Sequence, residues 1–320
     1  MPRVQHCSSA ACALLVACHS VAAPVLSTGL QAQQDSSRAL EVTASPTTIR
    51  VHGATLTYRD IGEGEPVVFV HGSLGDLDTF KPQFQAFAGS YRLLAYSRRF
   101  HPPNPSPPGD SAYSALTHAE DLVDLMSELS LDHARVVGLS YGAYTALLAA
   151  LKYPARIQAL VLAEPPLLPL LRTVPGGDSM AEAWERQVLR PSQRAFGRGD
   201  NDEGLRLFVG GLRGTTTFDQ LPASTKAHLR EYIPALRLQM LTDMKLYFPP
   251  VTCEQLRSLQ VPVLLVGGER SPPMFAVILA ELARCLPDAH RVVIPNAGHN
   301  MQIDNPAAFN REVLGFLQNR

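Results

Sequence analysis

The 320-residue sequence is poor in charge: charged residues make up 18%, and the two signs cancel to a net −1 with a pI near 6.8. With no basic helix and no basic patch interleaved with aromatics, there is no electrostatic footprint for nucleic acid. Phosphate-cradling glycine loops are missing, and Gly62-Glu63-Gly64 lacks the third glycine of a dinucleotide fingerprint. No H-E-x-x-H and no zinc-spaced cluster of histidine and cysteine occurs, so neither a metal nor a cofactor is expected. No internal repeat is evident.

Cysteine is also scarce. Three of the five cysteines, Cys7, Cys12 and Cys18, lie at the N-terminus and leave only Cys253 and Cys285 in the body of the chain. The apolar stretch Ala10 to Cys18 behind Arg3 is too short to span a bilayer as a helix but has the form of a signal h-region. Export is therefore expected, with a periplasmic, membrane-anchored or secreted product. Leu15-Val16-Ala17-Cys18 resembles a bacterial lipobox and implies a lipid anchor through Cys18, while ordinary cleavage near Ala32 is the alternative. Gln31 to Ser45 is small and polar, as in a tether. Cys253 and Cys285 could pair in an oxidising compartment, but both sit beside apolar helical pattern, and two buried small hydrophobes are the favoured expectation.

What the sequence does contain is 46% hydrophobic residues, enough for one large α/β unit with an insertion. Short apolar runs near 56–60, 66–70, 91–96, 134–139, 158–163, 262–267 and 290–295 predict strands. Helical patterns near 77–88, 114–129, 141–152, 273–285 and 305–318 alternate with them, the arrangement of a mostly parallel, doubly wound sheet. Residues 165–258 break that rhythm with helical patterns, paired glycines and no strong strand, and predict a helical cap. Its Leu167, Leu168, Phe208, Leu212, Met240, Met244 and Phe248 are candidate pocket walls, although apolar residues at helical spacing are more often core. The expected division is 1–40 export signal and tether, 41–164 and 259–320 sheet core, and 165–258 cap.

Three segments carry chemistry. Gly138-Leu139-Ser140-Tyr141-Gly142 follows the apolar run Ala134 to Val137 and precedes a small-residue helix, the strand, turn and helix context of a nucleophile elbow. A serine hydroxyl needs a base to attack at neutral pH, and the flanking glycines leave room for Ser140 Oγ to be thrust out of the sheet. Upstream, the strand Pro66 to Val70 runs into His71-Gly72-Ser73-Leu74-Gly75, where the amides of Ser73 and Tyr141 are candidates to hold an oxyanion. His71 itself is expected to prop this loop rather than act as the base. Downstream, Arg291 to His299 is a last strand whose loop presents His299, the candidate general base.

Taken in order, the His71-Gly72 loop, the Ser140 elbow, the Gly298-His299 loop and Asp304-Asn305-Pro306 resemble the α/β-hydrolase superfamily over roughly residues 47 to 320. The resemblance implies a doubly wound sheet with a cap and hydrolysis of a small ester, or a lactone-like bond, through an acyl-enzyme. A serine nucleophile sets the chain apart from dehalogenase and epoxide-hydrolase relatives, which use an aspartate. A carbon–carbon bond hydrolase, a cofactor-free haloperoxidase and a non-catalytic ligand-binding relative remain alternatives. Tyr96-Ser97-Arg98-Arg99-Phe100-His101 stands where many relatives carry Asp-x-x-Gly-x-Gly, and so departs from the common pattern.

The triad's acid departs as well. Where many relatives read Gly-x-x-Asp-Pro, this chain reads Gly268-Glu269-Arg270-Ser271-Pro272, and Ser271 there is expected to be a helix N-cap. Some relatives carry the acid after the strand that follows the nucleophile helix, where this chain has Glu164 ahead of Pro165-Pro166. A strand's carboxyl edge is where catalytic groups of open α/β sheets gather, so Glu164 is the first candidate and Glu269 the second.

Overall fold

A computed structural model describes residues 45–106, 113–213 and 217–320. The segment expected to direct export, its cysteines and the expected lipid anchor through Cys18 lie outside the described residues. Eight strands form one sheet in the order β1-β2-β4-β3-β5-β6-β7-β8. They are β1 Thr47–Val51, β2 Ala54–Ile61, β3 Pro66–Val70, β4 Arg92–Tyr96, β5 Ala134–Leu139, β6 Ile157–Ala163, β7 Val263–Gly268 and β8 Ala289–Ile294. Strand β2 runs antiparallel to β1 and β4, and every other pairing is parallel.

Strand β1 is absent from the sequence expectations for a physical reason. Its Thr-Thr-Ile-Arg-Val pairs only with β2 and leaves its first residues exposed, so neither a buried run nor a clean alternation marks it. The His52-Gly53 turn that closes the hairpin has positive φ at both residues, 47° and 74°, the twist that two-residue hairpin loops favour.

The central strands read as unbroken apolar runs because both faces are covered. In β3, Val67, Val68, Phe69 and Val70 are all at most 1% exposed, and burial of each contributes about 1.5–3 kcal/mol. One face packs against α1 (Lys81–Ala88), α14 (Met301–Asp304) and α15 (Pro306–Gln318), with Phe69 wedged between Phe80 and Phe87. The other packs against α2 (Ala115–Glu128), α3 (Tyr141–Lys152) and α13 (Pro273–Cys285).

Between β6 and β7 the described chain holds helices and no strand: α4 (Leu168–Leu171), α5 (Gly177–Trp184), α6 (Arg190–Gly197), α7 (Asn201–Arg213), α8 (Thr217–Gln220), α9 (Ala223–Glu231), α10 (Ile233–Leu241), α11 (Met244–Tyr247) and α12 (Cys253–Arg257). A π-helical turn, Glu185–Leu189, joins α5 to α6. This cap shares its core with the sheet. Leu167, Leu168, Phe208, Met240 and Phe248 are buried in the same cluster as α2 and α3, and Met244 is exposed. Of the seven apolar residues expected to wall a pocket, only Leu212 lines the serine cavity described below.

Cys253 and Cys285 form a disulfide between α12 and α13, correcting the expectation of two unpaired hydrophobes. The apolar flanks that suggested simple burial also bring the two Cα atoms to 5.1 Å, within bridging distance. Among the described residues, no helix is long and apolar enough to cross a membrane.

Candidate active site

Strand β5 delivers the chain to Ser140 at the carboxyl edge of the sheet, and α3 starts at the next residue. Ser140 has φ 54° and ψ −123°, a strained backbone for a residue with a side chain and one that collects at functional sites. The turn is possible only with glycine on either flank. A Cβ on Gly142 would lie 2.1 Å from the Val70 carbonyl oxygen, and one on Gly138 would lie 2.5 Å from Ala143 Cα. Gly72 brings the upstream loop over the elbow, since a Cβ there would stand 3.1 Å from Ser140 Cβ.

Glu164 follows β6, the neighbouring strand, and it too has positive φ, 48°. Its carboxylate is 1% exposed and carries two contacts: Oε1 accepts from the Gly268 amide at 2.7 Å, and Oε2 lies 2.6 Å from His299 Nδ1. His299 is in the loop after β8, its ring stacked on Phe275 of α13 at 4.6 Å between centroids. Held between that ring and the carboxylate, it keeps Nε2 buried with no hydrogen-bond partner among the described residues.

Glu269 lies elsewhere. It is exposed, and its Oε2 accepts from the Asn296 amide at 2.6 Å, bracing the loop that leads to His299. Ser271 is not the N-cap expected of it: α13 begins at Pro273, capped by Pro272, and Ser271 Oγ is buried without a partner among the described residues. Two successive prolines push the helix start past the serine, out of reach of the amides a cap would serve.

His71 props its loop. Nε2 accepts from the Arg98 amide at 2.8 Å, which leaves Nδ1 to donate to the Gly72 carbonyl at 2.8 Å. Both nitrogens are committed, and burial, reinforced by the Arg98 charge, holds this histidine well below the usual histidine range. Arg98 is fully buried. Its guanidinium donates to the His71 and Gly72 carbonyls at 3.0 Å each, meets His101 Nε2 at 3.1 Å and Tyr113 Oη at 3.1 Å, and lies 5.3 Å from the centre of the Tyr141 ring. Sequence reasoning noted this segment only as a departure; two adjacent arginines ahead of a histidine were the available signal.

The amides of Ser73 and Tyr141 make no backbone hydrogen bond among the described residues, as befits a loop turn and the first residue of a helix. Ser73, Ser140 and His299 all line one cavity of about 460 Å³, walled from the cap by Val209, Leu212, Leu229 and Tyr232. A second cavity of about 1060 Å³ is lined by Trp184, Arg206, Arg270 and His299 among others and does not include Ser140. A hydroxyl, an imidazole held by a carboxylate, and the Ser73 residue share one cavity, with the Tyr141 amide next to the hydroxyl in the chain, and these are the parts that acyl transfer requires.

Comparison with known proteins agrees with this architecture. A family model described as alpha/beta hydrolase fold matches residues 65–306. The chain is 25% identical over 283 residues to 2-(acetamidomethylene)succinate hydrolase of Mesorhizobium japonicum, covering 82% of this chain and 91% of that protein. It is 26% identical over 276 residues to the serine hydrolase BPHL of Mus musculus, covering 84% and 85%. A solved thermophilic esterase from Thermogutta terrifontis superposes with a TM-score of 0.66 at 25% identity, covering 86% of this chain and 99% of that one.

Proposed function

The chain belongs to the α/β-hydrolase family, and on that premise we propose that it is a serine hydrolase cleaving the carboxylic ester or lactone-like bond of a small, largely apolar substrate. The observation that carries the proposal is the 2.6 Å contact of His299 Nδ1 with buried Glu164, while Nε2, on a ring that shares its cavity with Ser140, has no partner among the described residues. The names of the mouse serine hydrolase and the thermophilic esterase support the nucleophile and the bond type.

In this mechanism Ser140 Oγ bonds to the substrate's carbonyl carbon as its proton passes to His299 Nε2. The carbonyl's π pair becomes an oxyanion held by the amides of Ser73 and Tyr141, and Glu164 stabilises the imidazolium. His299 then returns the proton to the leaving alcohol. Water attacks the acyl-enzyme by the same route and restores Ser140. Export into an oxidising compartment is part of the proposal and is supported by the Cys253–Cys285 disulfide.

The test is labelling with a fluorophosphonate probe together with turnover of chromogenic esters of increasing acyl length. The parent should label at Ser140 and turn over esters, and Ser140→Ala should lose both while keeping its thermal stability. An alanine variant that retains more than a few percent of kcat would place the nucleophile elsewhere.

A further inference from the structure

Gln239 of cap helix α10 is completely buried, and its amide reaches across to the loop that carries Ser73. Gln239 Nε2 lies 2.8 Å from Ser73 Oγ and 2.7 Å from Tyr247 Oη, and Oε1 lies 3.0 Å from Tyr113 Oη. Which end of the amide faces Ser73 follows from the neighbours. Arg98 can only donate, so at 3.1 Å it makes Tyr113 Oη an acceptor and leaves the phenol's single proton for Gln239. That contact must therefore be to Oε1, and the two amide protons point at Ser73 and Tyr247.

The polarity of the chain then reaches Ser73. Its Oγ makes one hydrogen bond among the described residues and is the acceptor in it. The hydroxyl proton is left unused on a side chain that lines the cavity shared with Ser140 and His299. Every bond in the series runs in one direction, from a buried guanidinium through a phenol and an amide to a hydroxyl. Aligned donors of this kind polarise one another in a medium from which water is excluded.

We propose that the Ser73 hydroxyl is a third donor to the oxyanion, alongside the amides of Ser73 and Tyr141, and that Gln239 is the positioning residue that turns its proton toward the cavity. The inference rests on the serine-hydrolase mechanism above. The bonds made and broken are those of that mechanism, and the hydroxyl gives up no proton; it donates a hydrogen bond as the carbonyl oxygen becomes negative. Because the donor is oriented by a cap residue, displacement of α10 would weaken the oxyanion site without touching Ser140 or His299.

Ester turnover and fluorophosphonate labelling of full-chain variants test it. Ser73→Ala keeps the amide and removes only the hydroxyl, so kcat should fall roughly a hundredfold with KM close to the parent's, the loss typical of one oxyanion donor. Ser73→Thr keeps a hydroxyl and should recover most of that loss. Gln239→Leu should lower kcat by a similar factor, and in the Ser73→Ala background it should cost almost nothing further, because its effect passes through the hydroxyl it orients. Losses that multiply in the double variant would reduce Gln239 to a structural role and overturn the positioning claim. A Ser73→Ala enzyme within about twofold of the parent kcat would overturn the third donor. Labelling at Ser140 separates the two levels: a parent that labels and turns over esters while Ser73→Ala is unaffected sinks this inference alone, whereas a parent that does neither sinks the mechanism beneath it.

Discussion

Ser140, Glu164 and the loop of His299 follow β5, β6 and β8, and hydrogen bonds of the sheet hold two of the three. Ser140 N donates to the Ala163 carbonyl at 2.7 Å, and Glu164 N donates to that of Val266 at 3.1 Å. Ser73 also follows a strand, β3, but its loop is held by side chains: His71, Arg98, Tyr113 and Gln239. The proposed nucleophile and its partners thus sit on backbone fixed by the sheet and by the glycines of the elbow, while the proposed oxyanion loop depends on a buried polar network of side chains. Such a network rigidifies only when every member is satisfied, so a single change in it is felt along its length.

The largest effect that would sharpen this contrast is at the carboxylate. Glu164→Gln preserves volume but removes the charge that stabilises the imidazolium, and kcat should fall by about four orders of magnitude. Glu269→Gln removes only an exposed charge and keeps a carbonyl oxygen able to accept from the Asn296 amide, so it should stay within about tenfold of the parent. A steady-state comparison of the two decides the assignment, and a large loss at Glu269 alone would reverse it.

A smaller effect is expected where the strand-borne half is buttressed. The disulfide closes a loop of sequence separation 32 and ties α12 to α13, whose Phe275 stacks on His299. In the chain-entropy model a loop of this size contributes about 3–4 kcal/mol. Paired Cys253→Ser and Cys285→Ser substitutions should lower the unfolding free energy by roughly that amount in a denaturant titration while kcat changes little.

The smallest effect per substitution belongs to the network. Burial first, and the Arg98 charge second, push His71, His101 and His118, the last with its ring 4.6 Å from that of Tyr113, well below their ordinary value of 6.5, so all three favour the neutral form in the folded protein. The unfolded chain binds more protons than the folded one once pH falls through about 6.5, so stability is intact above that value and is lost progressively below it. Each histidine adds at most about 1.4 kcal/mol per pH unit to the slope. The melting temperature of the parent should therefore drop on acidification from neutrality, and His118→Gln should flatten that slope. An acid slope that does not change in the variant would show that His118 is charged or solvated in the fold.

Much of the strand-borne half was legible before any coordinates. Apolar runs that are buried on both faces announce β3, β5, β6 and β7, and glycines at fixed offsets announce the elbow because backbone sterics leave no other residue there. Less was legible where a residue's partner lies far along the chain. Ser271 looked like a cap because serine before proline usually is one, and tertiary packing shifted the helix start. Leu167, Phe208 and Phe248 looked like pocket lining because amphipathic spacing does not distinguish a cavity wall from core. Strand β1 escaped because a half-exposed edge strand carries little periodicity.

By itself the sequence determined what local sterics and burial dictate: the alternation of strand and helix, the sharp turn at Ser140, and a histidine in the loop after the last strand. It ranked Glu164 ahead of Glu269 by position at a strand's carboxyl edge, but both follow strands and no local pattern decides which of them meets the histidine. Only the tertiary structure put one carboxylate on His299 Nδ1 and the other on the Asn296 amide. The same holds for the Cys253–Cys285 bridge and for Gln239, which meets a serine 166 positions away. The physical reason is common to all three. Strand, turn and helix are specified by neighbours a few residues apart, whereas a buried hydrogen bond or a disulfide depends on where two distant backbones come to rest, and that is decided by how the whole core packs.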